Sequence, residues 1–312
     1  MRHRRLRARV TQPIRVGSVT LSQPVMTASG TAGHAAEMAP YMDLAELGAV
    51  VVKSLYHSPW PGNPAPRVHP LSAGMINAVG LQGPGIEAWI DHDLPALEST
   101  GATVVASIWG RSVDDYARAA AMLAPVASRV AALEVNLSCP NLEGRGGIIA
   151  HDVDVSTAVV AACSVAGVPL WAKLSPNTDR IVEVAAAVVD AGAEALTLIN
   201  TVVGLAVDVE AARPALGNGG GGVSGAAIHA VALRAVHDVR KELPHVPIVG
   251  VGGIMSGRDA IAMMQAGANA VQVGTASFLR PDAAMRVLNE MHRWMHEHRE
   301  SSWSDVTSRL HR

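Results

Sequence analysis

Eight short apolar strands spread through 312 residues, a Gly-Ala turn ahead of four of them, and polar residues at the strands' C-terminal ends predict an α/β fold, a single-domain (β/α)8 TIM barrel. The first strand is Pro24-Val-Met-Thr-Ala28. The second, third, sixth and eighth follow Gly-Ala turns in Leu47-Gly-Ala-Val-Val-Val-Lys53, Thr100-Gly-Ala-Thr-Val-Val-Ala106, Ala191-Gly-Ala-Glu-Ala-Leu-Thr-Leu198 and Ala266-Gly-Ala-Asn-Ala-Val-Gln-Val273. The fourth is Ala131-Ala-Leu-Glu-Val135. The fifth and seventh, Val168-Pro-Leu-Trp-Ala-Lys173 and Val246-Pro-Ile-Val-Gly-Val251, open on a proline that a strand's first position tolerates. Each run is apolar throughout, as a parallel sheet covered on both faces requires. Helical patterns such as Asp179-Arg-Ile-Val-Glu-Val-Ala-Ala-Ala-Val-Val-Asp190 lie between them. A doubly wound sheet is the alternative, but no Gly-x-Gly-x-x-Gly opens a helix near the N-terminus as a dinucleotide site there needs.

Composition narrows the function. With 49% hydrophobic residues and 29 glycines the chain can bury one large core, and no linker or low-complexity tract divides it. A formal net charge of −2 offers no field for nucleic acid, and three Tyr and one Phe argue against base-stacking platforms. The basic start, Met1 to Arg9, has no apolar segment behind it and reads as part of a solvated extension, residues 1–13, ahead of a barrel domain at 14–312. No apolar run approaches the roughly eighteen residues of a membrane span. Two unpaired-looking cysteines suit a reducing cytoplasm. Cys163, in an apolar helical stretch, reads as core filling.

In a barrel the strands' C-terminal ends form the site. Here they supply Ala28-Ser29-Gly30, Lys53-Ser54, Ser107, Asn136 to Asn141, Lys173, Asn200-Thr201, Gly252-Gly253 and Gly274-Thr275. Cys139 stands where the fourth strand opens into its loop, bracketed by carboxamides that can bond a polar planar ligand. The glycine pairs after strands seven and eight predict a phosphate site, because backbone N–H groups of those loops commonly face one; the plainer alternative is tight βα turns. An unpaired ammonium at a barrel mouth is costly, so Lys53 and Lys173 each need an anion or carbonyl. For Lys173 that is a flavin's N1 and C2 carbonyl, or alternatively Glu134. Trp60 to Arg67 and Gly74 to Gly85 read as a long functional loop between strands two and three. Its Asn77 can serve an amide edge or hold the loop's own backbone.

Nearly the whole chain, from about Ile14 to Leu288, resembles the class 1 dihydroorotate dehydrogenases. The resemblance is carried by Ala28-Ser-Gly30, Val52-Lys-Ser54, Gly62-Asn-Pro-x-Pro-Arg67, Gly74-Met-Ile-Asn-x-Val-Gly-Leu-Gln82 and Asn136-Leu-Ser-Cys-Pro-Asn141. Further along come Lys173-Leu-Ser-Pro-Asn177, Ile199-Asn-Thr201, Gly222-Val-Ser-Gly225, Gly250-x-Gly-Gly253 and Val273-Gly-Thr275. Each is weak alone; their order and spacing together are specific. The quinone-using class 2 enzymes carry serine at the position of Cys139 and an N-terminal helical extension not found here. The loop around Asn77 is more similar to the NAD-linked 1B branch than to the fumarate-using 1A branch.

The resemblance implies FMN-dependent oxidation of dihydroorotate to orotate in UMP biosynthesis. Cys139 would remove the C5 proton while the C6 hydride passes to flavin N5, and a nearby cation would favour the thiolate. It implies substrate contacts from Lys53, Asn77, Val79, Gly80, Leu81, Asn136, Asn141, Asn200 and Thr201. It implies flavin contacts from Ser29, Lys53, Ser54, Ser107, Asn136, Lys173, Ile199, Gly225, Gly252, Gly253, Gly274 and Thr275, the last four of these holding the phosphate. FAD and a [2Fe-2S] cluster are implied only on a partner subunit that reaches NAD, since two cysteines cannot hold a four-thiolate cluster. The expected assemblies are a homodimer or a heterotetramer with that subunit; no metal site is expected in this chain.

Departures mark where the carry-over is open. Ser107 stands where many relatives have asparagine, Gly83 where asparagine is usual, and His69 near a common acidic position. Leu142 to His151 keeps only the paired glycines, and Gly217 to Gly222 suggests a mobile loop near the flavin. The alternatives are a fumarate-using enzyme, a flavin barrel for another dihydropyrimidine, and a non-catalytic binding or assembly subunit.

Overall fold

In the computed structural model the described residues are Val10, 12–138, 141–142, 145–146 and 149–312, with backbone alone for 141–142, 145–146 and 150. Cys139 therefore lies outside them, as does most of the basic N-terminus.

Eight parallel strands form the expected barrel: β1 (Val25–Thr27), β2 (Val50–Val51), β3 (Val104–Ile108), β4 (Ala132–Asn136), β5 (Leu170–Leu174), β6 (Ala195–Leu198), β7 (Ile248–Val251) and β8 (Ala270–Val273). Their order around the sheet is β1-β8-β7-β6-β5-β4-β3-β2. A parallel bridge between Met26 and Ala49 closes it, with Gly48 N donating to Val25 O at 2.8 Å. Closure removes the exposed edges an open sheet would leave. Register sets Lys173 level with Asn136 on one side and Thr197 on the other. Side chains alternate along a strand, so Glu134 and Asn136 of β4 share the inward face with Lys173 of β5.

The helices Val113–Leu123, Val153–Cys163, Ile181–Asp190, His229–Glu242, Gly257–Ala266 and Ala283–Glu297 pack outside. Ser112, Asp152 and Ser256 accept backbone N–H groups at the N-termini of the first, second and fifth of these, satisfying donors the helix cannot. Cys163 is fully buried in its helix, as expected, and burial pushes its thiol pKa up to about 12. At the N-terminal end of the barrel, Ile14–Val16 and Val19–Leu21 form a hairpin whose Ser18 N donates to Glu194 Oε2 at 2.9 Å, just ahead of β6.

Two expectations are corrected. Between β1 and β2 no full helix forms, only the turn Leu44–Glu46; Gly30, Gly33 and Pro40 punctuate that segment. The segment between β2 and β3 is more ordered than a loop. Val68–Leu71 and Gly74–Asn77 pair as a hairpin, and Gly221–Ser224 and Val202–Gly204, from the connection after β6, extend it to four antiparallel strands. Ile76, Ala78, Ala206 and Leu216 bury a small core of their own. This sheet roofs part of the barrel mouth. Within Gly217 to Gly222, read from the sequence as a loop, Gly221 and Gly222 are strand residues: Gly221 pairs with Gly204, and Gly222 with Val203 on one side and Asn77 on the other. A Cβ on Gly222 would lie 2.1 Å from Thr201 Oγ1, so close packing accounts for glycine there.

Candidate active site

A cavity of about 520 Å³ opens at the C-terminal mouth under this roof, inside the range of roughly 300–1,000 Å³ usual for small-molecule sites. Among the described residues its charged lining consists of Lys53, Arg111 and Lys173, with no carboxylate. Such a surface selects an anion.

The predicted residues come together here. Substrate candidates Lys53, Asn77, Val79, Gly80, Leu81, Asn136, Asn200 and Thr201 all line the cavity. So do flavin candidates Ser29, Ser54, Lys173, Ile199, Gly225, Gly252, Gly253, Gly274 and Thr275. Ser107 does not. It is fully buried behind the wall, 2.9 Å from Ser54 Oγ and 3.4 Å from Ser29 Oγ, and reaches the cavity only through them. Cys139 and the Asn141 side chain lie outside the described residues.

One hydrogen-bond chain crosses the mouth. Asn200 Nδ2 donates to Asn136 Oδ1 at 3.3 Å, and Asn136 Nδ2 donates to Ser54 Oγ at 3.2 Å. The Asn136 backbone is pinned by Tyr116, whose hydroxyl donates to its carbonyl at 2.6 Å. Asn77 Nδ2 donates to Gly222 O at 3.3 Å, so the roof places this third carboxamide. The arrangement holds several amide groups around one space without adding charge.

Lys173 is almost fully buried, and both partners weighed from the sequence remain compatible with it. It lines the cavity, and its Nζ lies 3.4 Å from Glu134 Oε1. Lys53 is half-buried; burial first, then the Arg67 charge, lowers its pKa. Arg67 staples the Gly62 to Arg67 motif, donating to Asn63 O, Pro61 O and Gln82 Oε1. His34 is held down to about 4, mainly by burial and then by Lys53, with Glu37 opposing.

At the other end, Gly253 has φ +68°, and a Cβ there would meet His229 Cβ at 2.6 Å. Thr275 Oγ1 donates to Ser224 Oγ at 2.7 Å, joining the loop after β8 to the roof. Close-approach glycines beside a buried ammonium and carboxamides fit a planar, phosphate-bearing cofactor such as FMN.

Sequence reasoning missed several lining residues. Asn177 stood inside a recognised motif but was given no role; its Nδ2 donates to Thr201 O at 3.0 Å and its Oδ1 accepts from Val203 N at 2.8 Å. Trp60, Trp109 and Arg111 form a wall, with Tyr56 stacked on Trp109 at 4.7 Å and the Arg111 guanidinium 5.6 Å from the Trp60 ring. With aromatics at only 3% of the chain, Trp109 directly after β3 and Trp60 within the long connection after β2 were the available signal.

Comparison with known proteins agrees with this geometry. The family model described as dihydroorotate dehydrogenase matches residues 14–295. The chain is 45% identical over 298 residues to a protein of Geobacter sp. (strain M21), covering 95% of this chain and 97% of that one. It is 47% identical over 285 residues to one from Trichlorobacter lovleyi, covering 91% and 93% respectively. Desulforudis audaxviator has a relative 44% identical over 305 residues, covering 97% of this chain and 99% of the other. All three are named dihydroorotate dehydrogenase B (NAD(+)), catalytic subunit. A barrel with these motifs, matched along nearly its full length, belongs to the dihydroorotate dehydrogenase family.

Proposed function

We propose that this chain is the catalytic subunit of an NAD-linked dihydroorotate dehydrogenase, oxidising dihydroorotate to orotate in pyrimidine biosynthesis. The observation that carries this is the cavity itself, where among the described residues three cations, no carboxylate and the linked carboxamides of Asn136 and Asn200 surround one space. Dihydroorotate is a carboxylate on a ring of amides, and each part has a complement there.

Residues 14–312 are taken as the FMN-binding barrel and 1–13 as a basic extension. FMN, when bound, supplies the acceptor for the hydride leaving C6. Gly252, Gly253, Gly274 and Thr275 would hold its phosphate, and Ser29, Lys53, Ser54, Asn136, Lys173, Ile199 and Gly225 would contact the rest, with Ser107 acting through the two serines. Asn77, Asn136, Asn141 and Asn200 would bond the ring carbonyls, N–H groups and carboxylate, beside Thr201. Lys53 faces the substrate carboxylate: burial and Arg67 both disfavour its charge, and an arriving anion offsets both. Cys139 takes the C5 proton on Sγ as the C5–C6 double bond forms.

The relatives' names specify a subunit and NAD(+), so electrons here are taken to leave through a second polypeptide, to which the resemblance to the 1B branch assigns FAD and a [2Fe-2S] cluster. Exposed Val203, Leu205, Val207 and Val209, on the connection after β6, give a second copy of the chain an apolar face to cover. Among the described residues no helix is long and apolar enough to cross a membrane. The free thiol of Cys163 suits a cytoplasmic setting.

Anaerobic titration of the FMN-loaded chain with dihydroorotate tests the proposal. Bleaching of the flavin's visible absorbance is expected. A yellow protein that stays yellow would overturn the substrate, and a chain that takes up no FMN would overturn the cofactor.

A further inference from the structure

Below the cavity floor lies a carboxylate that the proposed reaction does not use. Glu134 of β4 is fully buried. Its Oε1 is 3.4 Å from Lys173 Nζ, while its Oε2 accepts from Gln272 Nε2 at 2.7 Å and from Thr197 Oγ1 at 3.2 Å. Three strands, β5, β6 and β8, thus send donors to one acidic group. Gln272 turns its amide N–H to Glu134 although this leaves its own Oε1 buried without a partner. Three donors and no acceptor are the surroundings of an ionised carboxylate, which can only accept.

We propose that Glu134 is a positioning residue that sets the charge Lys173 presents to the flavin, holding the ammonium at the cavity floor and cancelling part of its field. This rests on the cavity's being the FMN site. Lys173 lies between the carboxylate and the cavity, so a ligand there meets a dipole rather than a bare cation. Two-electron reduction adds negative charge to the flavin, and a bare cation would favour that form more strongly than the pair does. Thr197 and Gln272 hold Glu134 in place, and so fix the size of the cancellation.

The proposal predicts shifts of opposite sign, which a purely structural role would not give. In the FMN-loaded chain, Glu134→Gln removes the negative charge with little change of shape. It should bind reduced relative to oxidised flavin at least tenfold more tightly, raising the midpoint potential by about 30 mV for a two-electron couple. Lys173→Met leaves the carboxylate uncompensated and should lower the potential by a similar amount or more. The potentials are read by equilibration with redox dyes, and FMN affinity by fluorescence. If Glu134→Gln alone fails to fold, the double variant Glu134→Gln/Lys173→Met, which removes both charges, must lie at least about 30 mV above Lys173→Met.

A Glu134→Gln chain that holds FMN at the wild-type potential would overturn the proposal, as would shifts of the same sign in both single variants. So would a double variant no higher than Lys173→Met. A wild-type chain that takes up no FMN would refute the flavin site beneath the proposal, and the proposal with it.

Discussion

Gly222→Ala should loosen the substrate half of the cavity. The added Cβ would sit 2.1 Å from Thr201 Oγ1 and 2.6 Å from Thr201 Cβ, where ordinary contact begins at 3.4 Å. Residue 222 cannot easily retreat, since its strand is paired with Val203 on one side and Asn77 on the other. Thr201 must therefore move by more than an ångström or drag the strand that follows it. Overpacking of this kind costs about 1–3 kcal/mol, and each 1.4 kcal/mol that falls on the bound state is about tenfold in affinity. Orotate affinity, measured by equilibrium dialysis, should fall tenfold or more, with a smaller loss in urea midpoint. If residues 217–222 were a mobile loop, they would absorb one methyl group. A variant with wild-type orotate affinity and an unchanged urea midpoint would refute the packing account.

Three further predictions follow from the site. The folded-state pKa of His34, about 4, lies below its ordinary 6.5, so the unfolded chain binds the proton first and stability falls as pH drops from 6.5 towards 4. The full difference would be about 3 kcal/mol, but solvent reaching a half-buried ring reduces it to roughly 1–2 kcal/mol; His34→Gln should flatten this part of a urea-midpoint profile, and equal slopes would refute it. Cys139→Ser should slow flavin reduction by dihydroorotate about 100-fold or more while weakening orotate binding far less, and equal losses in stopped-flow and dialysis would make Cys139 a binding residue instead. The isolated FMN-loaded chain should reduce NAD poorly with dihydroorotate as donor, and rapid NADH formation at 340 nm without a partner would count against a separate electron-transfer subunit.

The barrel was legible because each strand carries its own punctuation. Ala191-Gly-Ala193 ahead of β6 and Val168-Pro169 ahead of β5 mark where an apolar run begins, and parallel strands buried on both faces show no competing alternation. The polar strand ends were legible for the same reason, since Lys53, Asn136 and Asn200 break otherwise apolar runs. The roof was not. Asn77 and Gly222 pair across 145 residues, and Val68–Leu71 includes a proline and alternates only between exposed and half-buried positions. Nothing local tells such a strand from a loop, because its stability comes from a partner far along the chain. Gly221 and Gly222 misled because glycine signals freedom unless one knows that Thr201 and Asn77 crowd it. Ser107 lay correctly at a strand end, but its hydroxyl is too short to reach past Ser29 and Ser54. Glu134 was visible as a partner for Lys173, whereas its bonds to Thr197 and Gln272 depended on which strands become neighbours around the closed barrel.

The roof also bears on how this scaffold can be altered. Its four strands come from two connections, after β2 and after β6, whose main chains are hydrogen-bonded to each other rather than to the barrel beneath. Neither connection can change length or register alone without leaving the other's backbone groups unpaired. Exchange of substrate loops with a relative, or insertion of a peptide tag, should therefore succeed only when both segments travel together. In lineages that lengthen one, a matching change in the other is the expected mark of descent.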